Sequence, residues 1–200
     1  MKLKKLVALI TAGALCLGMS MTAFAAGTDK SPEKVPAYAT DENGKVLPLE
    51  YKETTEAAVK DALKDPEKIA DLFEENGFDL KDGETPVVVF SKDVDLKDGE
   101  KIPEGGLDLD LNIGSAAAAG LKHGDTVYVF HWGKDGLEII PVTVITVNGN
   151  AVVKVHVSDL SPFAVVKVMS NGKVVKVDTT TGRRTNLDGT RTPSSPRTGE

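Results

Sequence analysis

A change of hydrophobic period constrains the fold of this chain more than any other feature of its sequence. Beyond Gly77, apolar and polar residues alternate with a period of two, which is typical of β-strands because successive side chains point to opposite faces. The strands predicted from this alternation are 86–91, 107–112, 126–132, 137–147, 151–157, 163–169 and 173–177. Asn148-Gly149 and Asn171-Gly172 separate alternating runs, and their tolerance of positive φ predicts tight hairpin turns. About seven short strands with closely spaced turns predict a mainly β fold, an antiparallel β-sandwich.

Two short amphipathic helices are predicted ahead of these strands, because apolar residues there recur at the spacing of a helix face. Thr54 or Thr55 can cap the first helix. Asp65 can cap the second, Pro66 suits its first helical position, and Asn76-Gly77 ends it. The apolar positions that define the two helices are Val59, Ala62, Leu63, Ile69, Leu72 and Phe73. We expect both helices to pack on one face or one end of the sandwich.

The first 25 residues have the layout of a secretory signal peptide. Three lysines lie within the first five residues, an apolar run covers 6–17, and Ala23 and Ala25 supply the small residues that a signal peptidase reads. We therefore predict cleavage after Ala25. An uncleaved membrane anchor is the alternative, but the run is shorter than the roughly 20 residues that a span needs. No other segment is comparably apolar, so the mature chain is expected to have no membrane span.

Charge and cysteine content exclude several partners and sites. The formal net charge is −6 and becomes −9 without the leader, which carries three lysines and no acidic residue. An acidic chain of this kind argues against nucleic acid and anionic lipid as partners, because phosphate binding needs a concentrated basic surface. Cys16, the single cysteine, leaves with the leader. The mature protein must therefore rely on its hydrophobic core in place of disulfides or a cysteine-based metal site.

Composition divides the chain into four segments. Residues 1–25 are the signal peptide, and residues 26–44 are polar and proline-containing, which predicts a flexible lead-in. Residues 45–177 are predicted to form the β-sandwich domain with its N-terminal helices. Residues 178–200 are rich in Thr, Gly, Pro and Arg with almost no apolar side chain, which predicts a disordered stalk.

The end of the chain carries a short motif made of Ser195, Pro196, Arg197, Thr198 and Gly199. It resembles the S-P-x-T-G variant of the sorting signal that sortases of Gram-positive bacteria read. The resemblance implies that a sortase cysteine attacks the carbonyl between Thr198 and Gly199 and passes the acyl group to a cell-wall amine. Sortase and peptidoglycan are the partners it implies. In the family an apolar segment and a basic tail follow, whereas this sequence stops at Glu200, so either it continues further or the motif is unused.

A second resemblance covers the domain. The runs 120–132, 135–142 and 158–166 resemble β-sandwich modules of sortase-anchored surface proteins of gut Firmicutes, in which a tryptophan often stands at the position of Leu137. The resemblance implies a fold and a location outside the cell, attached to the wall. It identifies no host or glycan ligand. We therefore expect a secreted, cell-wall-anchored surface protein with an adhesive or structural role.

Three aromatic side chains share one face of the strand predicted at 126–132. Tyr128, Phe130 and Trp132 alternate with Val127, Val129 and His131 along it. If these rings were exposed they would form a sugar-stacking platform, and the protein would be a carbohydrate-binding module on the cell surface. Because aromatic residues make up only 5% of the chain, the core needs these rings, and we favour a strand buried on both faces.

The sequence gives little evidence for metal binding or catalysis. His123, His131 and His156 are widely separated and lie in different predicted elements. The mature chain has no cysteine nucleophile, G-x-S-x-G elbow, H-E-x-x-H pair or phosphate-binding glycine loop. We predict that the protein is not an enzyme and has no catalytic residues and no cofactor.

Two acidic sets resemble the start of a calcium loop. The sets are Asp93, Asp95, Asp98 and Glu104, and Asp108, Asp110 and Asn112. The first places Lys97 and Asp98 where a ligand and a glycine belong, and the second lacks both the glycine and the closing glutamate. In the second set leucines alternate with the polar residues, which favours a half-buried strand with a solvated face. No metal site is therefore predicted.

Overall fold

Extended segments dominate the chain from Tyr38 onward. The computed structural model describes residues 37–179 and 184–185. Its strands are β1 Tyr38–Thr40, β2 Val46–Lys52, β3 Glu84–Leu96, β4 Leu107–Ser115, β5 Thr126–Gly133, β6 Gly136–Thr143, β7 Ile145–Val147, β8 Asn150–Val157, β9 Pro162–Ser170, β10 Lys173–Val174, β11 Lys176–Val177 and β12 Arg184–Thr185. Its helices are α1 Ala57–Leu63, α2 Pro66–Glu75 and α3 Ala116–Ala119, with a 3-10 turn at Lys97–Gly99.

Ten of these strands form a single antiparallel sheet. Neighbouring strands run in the order β6, β5, β9, β3, β2, β1, β4, β8, β7, and β10 pairs with β9 beyond this path. Bulges interrupt β3 between Val88 and Phe90 and β4 between Asn112 and Gly114. Such bulges bend a strand and increase its twist, which helps a long sheet to curl.

The sheet folds back on itself at two corners. Residues 46–48 of β2 pair with β1, whereas residues 49–52 pair with β3. At the opposite corner, Val144 alone separates β6, which pairs with β5, from β7, which pairs with β8. The result is a nearly closed, barrel-like arrangement of two half-sheets. Sheet A consists of β1, β4, β7, β8 and residues 46–48, and sheet B of β3, β5, β6, β9, β10 and residues 49–52.

The interior between the half-sheets is the larger of two apolar clusters. Period-two alternation sends every second side chain of each strand inward, and these positions are almost uniformly Val, Leu, Ile or Phe. The fully buried members include Leu47, Leu107, Leu109, Leu111, Val127, Val129, Val144, Val153, Phe163 and Val165. Buried apolar area of this extent supplies the stabilisation that a domain without disulfides needs.

The second cluster lies on the outer face of sheet B, under the helices. The side chain of Asp65 accepts a hydrogen bond from the backbone N–H of Glu67, and Pro66 occupies the first turn, so α2 begins where the sequence predicted. The apolar faces of α1 and α2 pack on β5, β6 and β9. The buried residues of this layer are Val59, Leu63, Ile69, Phe73, Tyr128, Phe130, Ile139, Ala164, Val166, Val168 and Val175.

The fold class is confirmed in its main outline and corrected in its architecture. A mainly β, antiparallel fold with two helices ahead of most of its strands is present. The sandwich of about seven strands is wrong, because ten strands form one barrel-like sheet. β1 lies within 26–44, which we had assigned to a lead-in, and the bounds of the sheet therefore extend upstream to Tyr38. β12 lies within the predicted stalk and pairs with β11.

Both predicted hairpin turns are confirmed. Asn148 and Asn171 adopt φ values of 48° and 50°, and the glycines that follow them adopt 78° and 75°. Consecutive positive φ values at Asn-Gly give a turn whose twist matches that of the flanking strands. These turns connect β7 to β8 and β9 to β10.

Candidate functional site

The aromatic face of β5 is buried. Tyr128 is 4% exposed and Phe130 is fully buried, and the ring of Phe73 from α2 packs against both, with centroid distances of 4.9 and 5.0 Å. Trp132 is half-buried and lies 5.9 Å from the Phe130 ring, at the edge of the same layer. Because α2 covers the rings, they do not form the sugar-stacking platform considered above. Burial on both faces of β5, the preferred interpretation, is confirmed.

The three histidines lie apart, and each has its own neighbours. Nδ1 of exposed His123 accepts a long hydrogen bond of 3.4 Å from the backbone N–H of Thr146. Nδ1 of His156 lies 2.8 Å from Oδ1 of Asp108 on the neighbouring strand. His131 is buried at one end of the barrel interior. Within residues 37–179 and 184–185, no group of three His, Cys, Asp or Glu side chains is arranged to hold a metal ion.

His131 is a buried titratable group that lies between an aromatic ring and two carboxylates. Its ring is 4% exposed and stacks on Phe163 at a centroid distance of 4.5 Å and an interplanar angle of 14°. Nε2 lies 3.2 Å from Oδ1 of Asp159 but is not aligned for a hydrogen bond, and Nδ1 lies 3.8 Å from Glu138. Burial lowers the pKa of His131, and the two carboxylates oppose that shift without cancelling it.

Two other polar side chains enter the barrel interior. The hydroxyl of Tyr51 accepts a hydrogen bond of 3.0 Å from the backbone N–H of Asn112, and burial raises the pKa of this tyrosine. The ammonium of Lys167 donates to the carbonyl of Ala119 at the end of α3 over 2.7 Å. Burial lowers the pKa of Lys167. These groups satisfy backbone atoms at a bulge and at a helix end, so they have structural roles.

The carboxylates of the two calcium-like sets pair with different partners. Oδ2 of Asp93 accepts from the backbone N–H of Thr55, and Asp95 pairs with Lys52 over 2.9 Å. The side chain of Asp98 lies outside the described residues. Asp108, Asp110 and Asn112 share the outer face of sheet A, as the leucine alternation predicted.

That outer face carries two straight rows of side chains that cross four strands. Strand register places Pro48, Tyr38, Asp110 and Lys154 side by side from β2 to β8. The ammonium of Lys154 lies 2.8 and 2.9 Å from the two oxygens of Asp110. The hydrogen bond between Tyr38 and Asp110 raises the pKa of the tyrosine, and the bond to Asp110 raises the pKa of Lys154.

The second row lies two residues away from the first along the same strands. It consists of Val46, Thr40, Asp108 and His156, again from β2 to β8. The side chains of Asp108 and His156 are 75% and 63% exposed, so their contact is a solvated pair. Within residues 37–179, the large apolar side chains that are exposed are Val46, at 61%, and Val147. The sequence predicted that Asp108 and Asp110 lie on the solvated face of a strand, but Tyr38 lay outside the predicted strands and was not grouped with them.

Side-chain and backbone hydrogen bonds tie residues 175–177 to the barrel. The hydroxyl of Thr126 donates to the carbonyl of Val177 and accepts from its N–H, both over 2.9 Å. Val175 is buried, and its N–H donates to the carbonyl of Val168. Lys176 lies 3.4 Å from Asp125. The leader with Ala23 and Ala25, and the motif Ser195–Gly199, lie outside the described residues.

Comparisons with protein-family models, with curated proteins and with solved structures give no match to this chain. None of the helices in the described part of the chain has the length and apolarity needed to cross a membrane.

Proposed function

We propose that this chain is a secreted bacterial surface protein that a sortase attaches to the cell wall, where its domain has an adhesive or structural role. The observation that carries the proposal is the order of segments along the chain. A signal-peptide pattern at 1–25 precedes the domain, and an S-P-x-T-G pattern at 195–199 follows it.

The architecture of the domain is compatible with a protein that functions outside the cell. Two apolar layers, one between the half-sheets and one under the helices, stabilise it without any cysteine beyond Cys16 of the leader. Residues 186–194 lie between β12, which pairs with β11, and the motif. A spacer of this composition lets an enzyme grip the motif in an extended form without disturbing the sheet.

The proposed attachment is an acyl transfer. A sortase thiolate attacks the carbonyl carbon of Thr198, the bond to the nitrogen of Gly199 breaks, and the segment that begins at Gly199 leaves with a proton on its new amine. The thioester then passes the Thr198 acyl group to an amine of the wall and regenerates the thiol. No residue of the domain takes part in this chemistry.

Intact mass tests the attachment. The chain from Ala26 is incubated with a sortase that accepts S-P-x-T-G signals and with triglycine. We expect loss of Gly199-Glu200 and addition of triglycine at Thr198, and no reaction for the variant Thr198→Ala. If the mass of the unchanged chain persists while a peptide with a complete sorting signal reacts, the anchoring proposal is wrong.

Export has its own test. When the full chain is expressed in a Gram-positive host, the N-terminus of the protein in the medium or wall fraction should be Ala26. Replacing Ala23 and Ala25 by lysine should retain the leader, because the peptidase reads small residues at those positions. An N-terminus at Met1 in the exported protein would contradict the predicted cleavage.

A further inference from the structure

Asparagine followed by glycine occurs four times in the chain, at 43–44, 76–77, 148–149 and 171–172. This pair is chemically labile, because glycine has no Cβ and its backbone nitrogen meets little hindrance when it attacks the amide carbon of the preceding side chain. The attack closes a five-membered succinimide ring. Asparagine is accordingly among the residues that limit the lifetime of folded proteins.

The fold decides which of these pairs can react. The glycine N–H must be free of a hydrogen bond that holds the nitrogen in place. The backbone must also rotate until the nitrogen reaches the side-chain carbon, so the rate follows how readily the local structure opens. The four pairs differ in both respects.

The pair at the end of α2 is held at both of its reacting groups. The N–H of Gly77 donates to the carbonyl of Glu74 over 3.0 Å. The side-chain amide of half-buried Asn76 donates to the carbonyl of Leu72 over 2.8 Å. Closing the ring requires both bonds to break, so the fold protects this pair.

The pair between β1 and β2 is held by a network around one aspartate. The N–H of Gly44 donates to the carbonyl of Asp41 over 2.9 Å. The carboxylate of Asp41 accepts from the N–H of Asn43 over 2.9 Å and from that of Lys45 over 2.8 Å. Although Asn43 is exposed, its turn is closed by several bonds, and this pair is protected as well.

The two hairpin pairs meet the first condition. Asn148 and Asn171 are exposed, and each is followed by the second residue of a two-residue turn. Among the residues that the structure describes, no hydrogen-bond acceptor pairs with the N–H of Gly149 or of Gly172. Their nitrogens are therefore available once the turn opens.

The turn at Asn148 is the more firmly held of the two. The carbonyl of Gly149 accepts a hydrogen bond of 2.9 Å from the N–H of Ala116, at the start of α3. The strand that follows, β8, has eight residues and pairs with both β7 and β4. Opening this turn disturbs two elements beyond the hairpin itself.

The turn at Asn171 closes a much smaller hairpin. β10 has two residues, and it pairs with β9 through Lys173 with Ser170 and Val174 with Met169. Two residue pairs are the least structure that has to open around any of the four asparagines. Short pairings of this kind open at low free-energy cost.

We propose that Asn171 is a site of spontaneous deamidation. The backbone nitrogen of Gly172 bonds to Cγ of Asn171, the Cγ–Nδ2 bond breaks, and ammonia leaves with the proton that the glycine nitrogen loses. Water then adds to one of the two carbonyl carbons of the succinimide and breaks its bond to the ring nitrogen. The product is aspartate or, when the chain continues through the former side chain, isoaspartate.

The isoaspartyl product changes the end of the domain. It adds one carbon to the main chain in a turn whose two residues set the register of β10 against β9. The pairs of Lys173 and Val174 are then lost. This inference is independent of the proposed wall attachment, because the chemistry needs only the folded hairpin and water.

Peptide mapping by mass spectrometry tests the proposal. The chain from Ala26 is kept in mildly alkaline buffer, folded or in urea, and aspartyl and isoaspartyl peptides are separated by chromatography over time. In the folded chain, Asn171 should convert at least about fivefold faster than each of the other three asparagines. In urea the four rates should lie within about threefold of one another, because the unfolded chain lacks the protecting bonds.

Two variants serve as controls, since aspartate tolerates positive φ and cannot lose ammonia. Asn148→Asp should leave the rate at Asn171 unchanged. Asn171→Asp should remove the fastest conversion and leave the other three rates unchanged. Equal or faster conversion at any other Asn-Gly pair of the folded chain overturns the proposal. Persistence in urea of the fivefold preference for Asn171 also overturns it, because the selectivity would then not come from the fold.

Discussion

At the scale of single residues, the surroundings of His131 combine burial with nearby negative charge. The ring lies between Phe163 and the carboxylates of Asp159 and Glu138. Asp159 also accepts a hydrogen bond of 2.9 Å from the backbone N–H of Lys134, so it joins the β5–β6 turn to the loop before β9. Gly133 makes room for this contact, because a Cβ there would lie 2.8 Å from Oδ1 of Asp159.

Stability should depend on pH through His131. Its pKa is lowered in the folded protein, so the unfolded chain, with an ordinary pKa of about 6.5, binds the proton more readily. The contribution of neutral His131 to the free energy of unfolding is therefore complete above about pH 6.5 and is lost as the pH falls below that value. Urea unfolding at several pH values should show a smaller acid-induced loss of stability for His131→Gln than for the unaltered chain. Equal losses in both proteins would contradict this assignment.

Gly106 is the glycine whose replacement should be most harmful to sheet A. Its φ is +79°, and a Cβ there would lie 2.6 Å from the carbonyl oxygen of Val157. Gly124 has a similar φ of +81° with open space around the Cβ position. Gly124→Ala should lower the free energy of unfolding by about 1–2 kcal/mol through backbone strain alone. Gly106→Ala should lower it measurably more. Equal losses in urea unfolding would mean that the backbone contact relaxes without penalty.

At the scale of elements, α2 is the main cover of sheet B. Its Phe73 is fully buried and meets Phe78, Tyr128 and Phe130 edge-to-face. Because this helix covers the outer face of sheet B, β5 is buried on both of its faces. This explains why β5 reads as an unbroken apolar run from Val127 to Phe130.

Removal of the Phe73 ring should therefore destabilise the whole domain. Phe73→Ala leaves a cavity between helix and sheet, and we expect a loss of about 3–5 kcal/mol in the free energy of unfolding. Glu74→Ala, at the exposed neighbouring position, should change it by less than about 0.5 kcal/mol. Thermal and urea unfolding measure both variants. A small loss for Phe73→Ala would indicate that α2 is not tightly packed.

The sequence predicted both helices and most of the longer strands, but it missed β2 and the part of β3 beyond Ser91, which pair with each other across the chain. The helix around Phe73 and the Asn-Gly turns follow from local chemistry. The predicted cap of the first helix by Thr54 or Thr55 is wrong, because Glu56 occupies that position and makes no side-chain capping hydrogen bond. β1 has a single inward residue, Ala39, and is too short for a period to be visible. We read 137–147 as one strand, but the adjacent apolar residues Val144 and Ile145 shift the phase of the alternation where the strand partners change. The rows on sheet A could not be assembled without the strand register.

At the scale of the whole molecule, closure of the sheet depends on β1. This short strand joins β2 to β4 and thereby links the two half-sheets at one corner, while the chain itself links them at Val144. Ala39 also contributes to the interior between the half-sheets. The folding unit therefore includes residues that composition alone assigned to a lead-in.

Truncation tests this dependence. A chain that begins at Lys45 lacks β1, which leaves the backbone groups of β2 and β4 unpaired and opens the interior beside Leu47 and Leu109. We expect it to lose cooperative thermal unfolding or to unfold at a much lower temperature than a chain that begins at Ala26. A chain that begins at Ala37 is the control and should resemble the longer one. Equal melting temperatures for all three would show that β1 is dispensable.

The attachment of Val177 to Thr126 gains a mechanical meaning if the protein is tethered at Thr198. Tension from the wall then reaches β12 first, and the bonds that pair β12 with β11 carry it before the two that share the hydroxyl of Thr126. Behind them lies the short pairing of β10 with β9, which would open one rung at a time. The end of the domain would thus yield before β9 and the core are loaded, and it would act as an extensible joint between the wall and a rigid barrel.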